Sequence, residues 1–290
     1  MKRTLKLGTR GSLLARAQSQ MVADQVAAAT GWAVELVILT TRGDANQAQP
    51  LASLGGKGLF TQELEDGLRD GSLDFAVHSL KDLPTEDAEG LCLGAIPERE
   101  DPRDAIVGGP LLDLPMGARL GTGSLRRRVQ ALALRPDLAV SDIRGNVETR
   151  LRKRDDGDYD ATILAMAGLN RLGLRRADVL PLPVEQMVPA VGQGALAVQC
   201  RADDPTVRGL LLSIEHAPSR EAITVERAFL QEFGGGCNTP AACHAWRAAG
   251  GPLQAVAVAP SPTGVLLRLS AVGEAPDALG RQLAAALRAG

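Results

Sequence analysis

The sequence predicts an α/β protein of two lobes, followed by a small α+β unit. Three observations lead there. Short apolar, β-branched runs alternate with helix-periodic segments from Thr4 to Ala165, a rhythm that implies mostly parallel sheets. The charged, linker-like run Glu98–Arg103 divides that alternation into two sets, and Leu182–Gly194, with two prolines and two glycines, reads as a return crossing. From Glu215 the texture changes to a long amphipathic helix, two strands and a final helix. The boundaries expected are residues 1–98 with 195–213 for lobe 1, 99–194 for lobe 2 and 215–290 for the C-terminal unit.

Taken in order, Thr4–Gly8 is a short strand, and Ser12 is an N-cap for a helix to about Ala29 with Leu14, Met21, Val22 and Val26 near one face. Ala33–Thr40 is apolar and β-branched, as a buried strand would be. Thr41–Gly58 is a long polar, glycine-rich loop with the character of a lid. Phe60, Leu64 and Leu68 recur every four residues and mark a helix, and Asp74–His78 is a third strand. In the second set, Ala118–Gly121, Leu138–Ile143 and Ala161–Ala165 are strands, and Ser124–Leu134 and Val147–Arg154 are helices. Ala195–Cys200 is a further strand, placed to rejoin the first sheet. A helix through Ala222, Val225, Ala228 and Phe229, strands at Leu253–Ala259 and Val265–Ala271, and a helix from Asp277 complete the chain.

Composition narrows the function. A net charge of −2 argues against a general nucleic-acid or membrane-surface binder, and 2% aromatic residues leave little for base stacking. The N-terminus lacks an apolar signal core and no run reaches membrane-spanning length, so the expected location is the cytoplasm. Cys92, Cys200, Cys237 and Cys243 are dispersed without a C-x-x-C pair, which speaks against a disulfide framework or a structural zinc site.

The polar residues at strand ends carry the chemistry. Gly121-Thr122-Gly123-Ser124-Leu125-Arg126-Arg127-Arg128 leaves a strand and opens a helix, where free N–H groups and guanidinium forks suit a carboxylate or phosphate. A capped helix with a solvated basic face reads from the same residues. Arg144-Gly145-Asn146 sits at another strand end, with Arg150 a turn beyond. Arg10 and Arg171 occupy comparable exits, so several cations converge if the strand exits face one cleft. Val77–Pro84 delivers Ser79, Lys81 and Asp82 to a loop. Asp82 reads as a solvated turn carboxylate or as one held in a cleft for charge stabilisation and proton transfer, and His78 reads as a core or supporting histidine. Leu54–Phe60 does not meet the P-loop pattern, which disfavours an NTPase. Phe233-Gly234-Gly235-Gly236-Cys237-Asn238-Thr239-Pro240 presents one thiol behind three glycines, as an attachment point would. Buried packing suffices for Cys243.

These segments together resemble the porphobilinogen deaminase family, also called hydroxymethylbilane synthases. The likeness runs in order through Thr9-Arg10-x-Ser12, Thr41–Asp44, Gly55–Phe60, Val77–Pro84, Glu98–Ala105, Gly121–Arg127, Arg144–Val147, Pro189–Ala195, Glu226-Arg227 and Gly235–Cys237, nearly the whole chain. The resemblance implies two lobes of the type II periplasmic-binding-protein kind and a third domain whose cysteine, here Cys237, holds a dipyrromethane cofactor by a thioether. It implies head-to-tail addition of four porphobilinogen molecules, each losing ammonia, and hydrolytic release of linear hydroxymethylbilane. Asp82 is by resemblance the catalytic carboxylate, buried beside the developing cation. Lys81, Ser79, Thr122, Ser124, Arg126, Arg127, Arg144 and Gly145 would hold the cofactor. Arg10, Ser12, Arg150, Arg171, Gln193, Lys57 and Phe60 would serve substrate, with no metal. A monomer with porphobilinogen as its only partner is expected. The chain departs from the family pattern at Leu13, Gly123 and Ala241-Ala242. A two-lobed cytoplasmic binding protein for a small polyanion is the alternative reading, and it has no need of an attached thiol. A transferase using Cys237 as a turnover nucleophile lacks an evident base.

Overall fold

The computed structural model describes residues 3–39, 61–234, 239–248 and 250–289. The chain forms two compact units, Met1–Arg99 with Ala195–Arg220, and Glu100–Gly194 with Glu221–Gly290. In chain order the first stretch comprises β1 (Leu5–Arg10), α1 (Leu13–Thr30), β2 (Val34–Leu39), α2 (Gln62–Arg69), β3 (Phe75–Ser79) and β4 (Leu91–Ala95). The second comprises β5 (Asp104–Val107), β6 (Arg119–Gly121), α3 (Leu125–Leu134), β7 (Ala139–Ser141), α4 (Val147–Asp155), β8 (Ala161–Ala165), α5 (Met166–Arg171) and β9 (Val179–Pro181). The chain then returns as β10 (Leu196–Arg201) and α6 (Pro205–Leu211). It ends with α7 (Ala217–Phe233), β11 (Ala242–Arg247), β12 (Leu253–Pro260), β13 (Leu266–Gly273) and α8 (Pro276–Ala289).

The first unit holds a five-stranded sheet, β2-β1-β3-β10-β4, and the second holds another, β7-β6-β8-β5-β9. In each, three parallel strands are followed by one that runs against both neighbours: β10 against β3 and β4, and β5 against β8 and β9. That antiparallel strand is the first one the chain makes after crossing from the other unit, and both sheets are mixed rather than mostly parallel. The shared order gives two α/β lobes built on the same sheet plan. The antiparallel sheet β11-β12-β13 with its helices is the small α+β part.

Local chemistry fixes the elements. The Ser12 hydroxyl accepts the Ala15 N–H at 3.2 Å, and Gly31, at φ 68°, closes α1 in the left-handed conformation. Val22 and Val26 are buried as the periodicity predicts, whereas Met21 is exposed. In the first unit they pack on Leu5, Leu7, Phe75 and Val198. Of the run Ala33–Thr40, expected to be buried, Val34–Leu39 forms strand β2; among the described residues it pairs only with β1, and Ile38 is 53% exposed. The second lobe closes over Ile106, Leu120, Ile163 and Met187. In the same unit α7 and α8 cover β12 through Val225, Phe229, Leu279 and Leu283. Gly280 permits that helix contact, because a Cβ there would lie 2.2 Å from the Val225 carbonyl. Among the described residues no helix is long and apolar enough to cross a membrane.

Candidate active site

In the first unit the expected residues gather at the carboxyl ends of β1 and β3. Ser79 ends β3 and exchanges hydrogen bonds with the Gln18 amide at 3.1 and 3.3 Å. Leu80–Asp82 then forms a single 3-10 turn, anchored by the Leu80 N–H on the Ala195 carbonyl. Lys81 is half-buried and Asp82 is exposed. The carboxylate therefore stands at the open end of the turn, not in the buried setting expected for it, because the turn carries it beyond the sheet. His78 is buried one residue upstream of Ser79, with Nε2 at 3.1 Å from the Gln199 side-chain oxygen. Burial pushes its pKa down to about 4, and the nearby Arg10 guanidinium adds to the shift. Arg10 is half-buried at the end of β1, and the Ser12 hydroxyl serves the helix cap.

In the second unit the basic residues after β6 are organised by a carboxylate that the sequence reading passed over. Asp104, the first residue of β5, is fully buried. Its Oδ2 accepts Arg126 Nη1 at 2.6 Å, and its Oδ1 accepts Arg126 Nη2 at 3.1 Å and Arg127 Nε at 2.9 Å. Gln193 Nε2 donates to the same Oδ1 at 3.0 Å and to the Pro102 carbonyl at 2.8 Å. Backbone carbonyls take further guanidinium donors: Arg126 Nη1 reaches the Val188 carbonyl at 2.8 Å and Arg127 Nη1 the Ile163 carbonyl at 2.7 Å. Gln130 fixes Val188 from the other side, donating to its carbonyl and accepting its N–H.

Two buried guanidiniums against one buried carboxylate leave an excess of positive charge. Burial lowers the Arg127 pKa to about 10; Asp104 opposes that, and Arg126 and Arg150 add to it. Asp104 is held far below the usual carboxylate range: burial alone would raise it, but the Arg126 and Arg127 charges and their hydrogen bonds outweigh that cost. The cluster is thus suited to an added anion.

Thr122 is buried and its hydroxyl accepts the Ser124 N–H at 3.2 Å, while the Ser124 hydroxyl caps α3 by accepting the Arg127 N–H. Arg144 and Gly145 are exposed after β7, and Arg150 Nε donates to the Gly145 carbonyl at 2.8 Å. Arg171 Nη2 donates to the Gly194 carbonyl at 2.7 Å; its Nε is buried without a hydrogen-bond partner, and burial lowers its pKa to about 10. Cys243 is buried in the core under β11, as packing requires.

Lys57, Phe60 and Cys237 lie outside the described residues, as does the whole loop Thr41–Gly58. The flanks of Cys237 are well fixed. Glu226 on α7, fully buried, accepts the Ala245 N–H of β11 at 2.9 Å and the Gly192 N–H at 2.7 Å, with His244 Nδ1 at 3.2 Å. One carboxylate so ties α7, β11 and the return segment together. Among the described residues no group of three or more His, Cys, Asp or Glu is placed to hold a metal ion.

Comparison with known proteins gives a consistent picture. The family profile described as "Porphobilinogen deaminase, dipyromethane cofactor binding domain" matches residues 5–209, and "Porphobilinogen deaminase, C-terminal domain" matches residues 220–289. The chain is 45% identical over 289 residues to the porphobilinogen deaminase of Brevibacillus brevis, covering 98% of this chain and 94% of that protein. It is 46% identical to that of Sorangium cellulosum over the full length of both. The porphobilinogen deaminase of Roseiflexus sp. is 51% identical over 83% of this chain and 80% of its own.

Proposed function

The chain belongs to the porphobilinogen deaminase family, and from that premise we propose how its residues divide the work. It is a hydroxymethylbilane synthase, a transferase of tetrapyrrole synthesis. It condenses four porphobilinogen molecules head to tail with loss of ammonia and releases linear hydroxymethylbilane. Its cofactor is dipyrromethane, which supplies a nucleophilic pyrrole carbon to which the first substrate is joined.

The observation that carries our assignment of roles is the buried Asp104–Arg126–Arg127 cluster with its surplus cation. Pyrroles bearing acetate and propionate groups are polyanions, and that surplus fits them. We assign carboxylate binding to Arg126, Arg127, Arg144, Arg150 and Arg171, with Thr122, Ser124 and the Gly145 backbone beside them. Asp104 is a positioning residue that fixes two guanidinium forks before ligand arrives. Gln193 shares that carboxylate and orients with it. In the first unit, Arg10, Ser12, Ser79 and Lys81 also serve the pyrrole carboxylates. Asp82 is the catalytic group. Departure of ammonia leaves positive charge on the substrate pyrrole, which the Asp82 carboxylate stabilises, and the same oxygen accepts the proton released when the new carbon–carbon bond forms. Lys57 and Phe60 are assigned to the substrate, and Cys237 to the thioether.

We divide the chain as residues 1–98 with 195–213, 99–194 and 215–290, a division supported by the three separate sheets. We place the enzyme in the cytoplasm as a monomer acting on porphobilinogen without nucleic acid or membrane, in keeping with a net charge of −2. Size-exclusion with light scattering tests the monomer. The anchor is tested by intact mass of the purified protein: an adduct of two linked pyrroles is expected, absent in Cys237→Ala. Active protein of unmodified mass contradicts it.

A further inference from the structure

Outside the site, the first unit brings two thiols together. Cys92 lies on β4 and Cys200 on the adjacent β10, and the two are direct partners in the antiparallel register. Their sulfur atoms are 3.9 Å apart. Direct antiparallel partners have Cα atoms about 4.5–5.5 Å apart. A disulfide accepts Cα separations of about 4.4–6.8 Å and needs its sulfurs at about 2.05 Å. The pair therefore needs side-chain rotation and no slip of the strands. Gly94 on β4 accommodates the Cys200 sulfur where it stands, since a Cβ there would lie 2.9 Å from it.

The two thiols differ in a useful way. Cys200 is fully buried in the apolar core beside Val198 and Leu211. Cys92 is half-buried at the margin of that core. Burial, with Cys92 next to it, pushes the Cys200 thiol up to about 12, so it stays protonated while the more accessible Cys92 meets a reagent first. Cys243, the other described cysteine, is buried in the separate core of the second unit.

We propose that Cys92 and Cys200 form a thiol modification site, open as a dithiol and closed to a disulfide by hydroperoxides. The Cys92 sulfur attacks the peroxide, the O–O bond breaks, and Cys92 becomes a sulfenic acid as the alcohol, or water from hydrogen peroxide, departs. The Cys200 sulfur then attacks the Cys92 sulfur. The S–O bond breaks, the oxygen leaves as water with the Cys200 proton, and the S–S bond forms. Two thiols lose two electrons and two protons, and one hydroperoxide is reduced to alcohol and water. A dithiol reductant reverses the bond by exchange. The site is independent of the tetrapyrrole chemistry.

The test uses the full-length holoenzyme, with hydrogen peroxide as probe. Reduced protein is treated with a small excess, quenched, alkylated and mapped by mass spectrometry without reduction. The expected product is a Cys92 peptide linked to a Cys200 peptide, with the intact mass lower by two hydrogen atoms and restored by dithiothreitol. The link is expected to persist in Cys243→Ser and to be absent in Cys92→Ser, whose turnover without oxidant equals that of the parent. Recovery of both residues as alkylated thiols overturns the proposal. So does Cys92 carried to sulfinic or sulfonic acid with Cys200 still free, or a bridge that involves Cys237 or Cys243.

Discussion

The two five-stranded sheets share one strand order, yet their antiparallel strands carry different chemistry. In the first unit β10 brings Gln199, a neutral amide, to the buried His78. In the second, β5 brings Asp104, a carboxylate, to the buried Arg126 and Arg127. The neutral pair satisfies hydrogen bonds and leaves the nearby 3-10 turn to present Asp82 and Lys81 at its surface. The charged cluster holds cations in a low-dielectric setting before any ligand binds. One scaffold thus supports an exposed carboxylate, which we propose as the catalytic group, in one unit and a buried cation cluster, which we propose as an anion site, in the other. Desolvation makes the second expensive to build and rigid once built.

That contrast can be broken at either end. The largest effect is expected for Asp82→Asn. Turnover should fall by roughly 100- to 10,000-fold, the usual worth of a positioned acid–base group, with the denaturation midpoint unchanged because the side chain is exposed. Stopped assays of porphobilinogen consumption beside chemical denaturation check both halves, and near-normal turnover removes Asp82 from the mechanism. Asp104→Asn should do the reverse in stability, costing about 3–5 kcal/mol in urea unfolding, since it leaves two buried guanidiniums under-compensated. A change within error would mean that the guanidiniums find other partners.

The neutral pair gives a smaller, pH-dependent effect. His78 has its folded pKa depressed from 6.5 to about 4, so the unfolded chain takes up the proton first. Its share of stability is complete above pH 6.5 and is lost as pH falls toward about 4, by up to about 3 kcal/mol. The share of Asp104, whose folded pKa is also depressed, goes only below its ordinary value of 3.8, which keeps the two windows apart. Unfolding measured across that range should show the slope in the parent and lose it in His78→Gln. An unchanged slope in the variant would assign it to other groups.

The longer elements were legible because their apolar spacing and caps are local. The Ser12, Ser124 and Asn146 side chains cap the helices they precede. What escaped were short strands without clear alternation: β4 with Gly94 inside it, three-residue β9, and β11, where His244 and Arg247 interrupt the apolar run. Asp104 escaped for a related reason. It follows the charged run Glu98–Arg103, which reads as linker, and its partners lie 22, 23 and 89 residues away. Only the pairing of β5 with β8 places it under α3. The nearness of Cys92 and Cys200, 108 residues apart, likewise exists only in the register of β4 and β10. In contrast, Thr122, Ser124, Arg126 and Arg127 were singled out because a strand–turn–helix junction is an anion site on local grounds alone.

The central claim is that Asp104 holds two guanidiniums in the geometry that ligand binding needs, over and above holding the fold. The direct test is turnover per folded molecule in Asp104→Asn, with the folded fraction taken from circular dichroism in the same sample at low temperature. We predict at least a tenfold loss of kcat/KM per folded molecule, well beyond the unfolded fraction, with Asp104→Glu recovering part of it. Equal kcat/KM per folded molecule in the parent and Asp104→Asn would contradict the claim and leave Asp104 a purely structural residue.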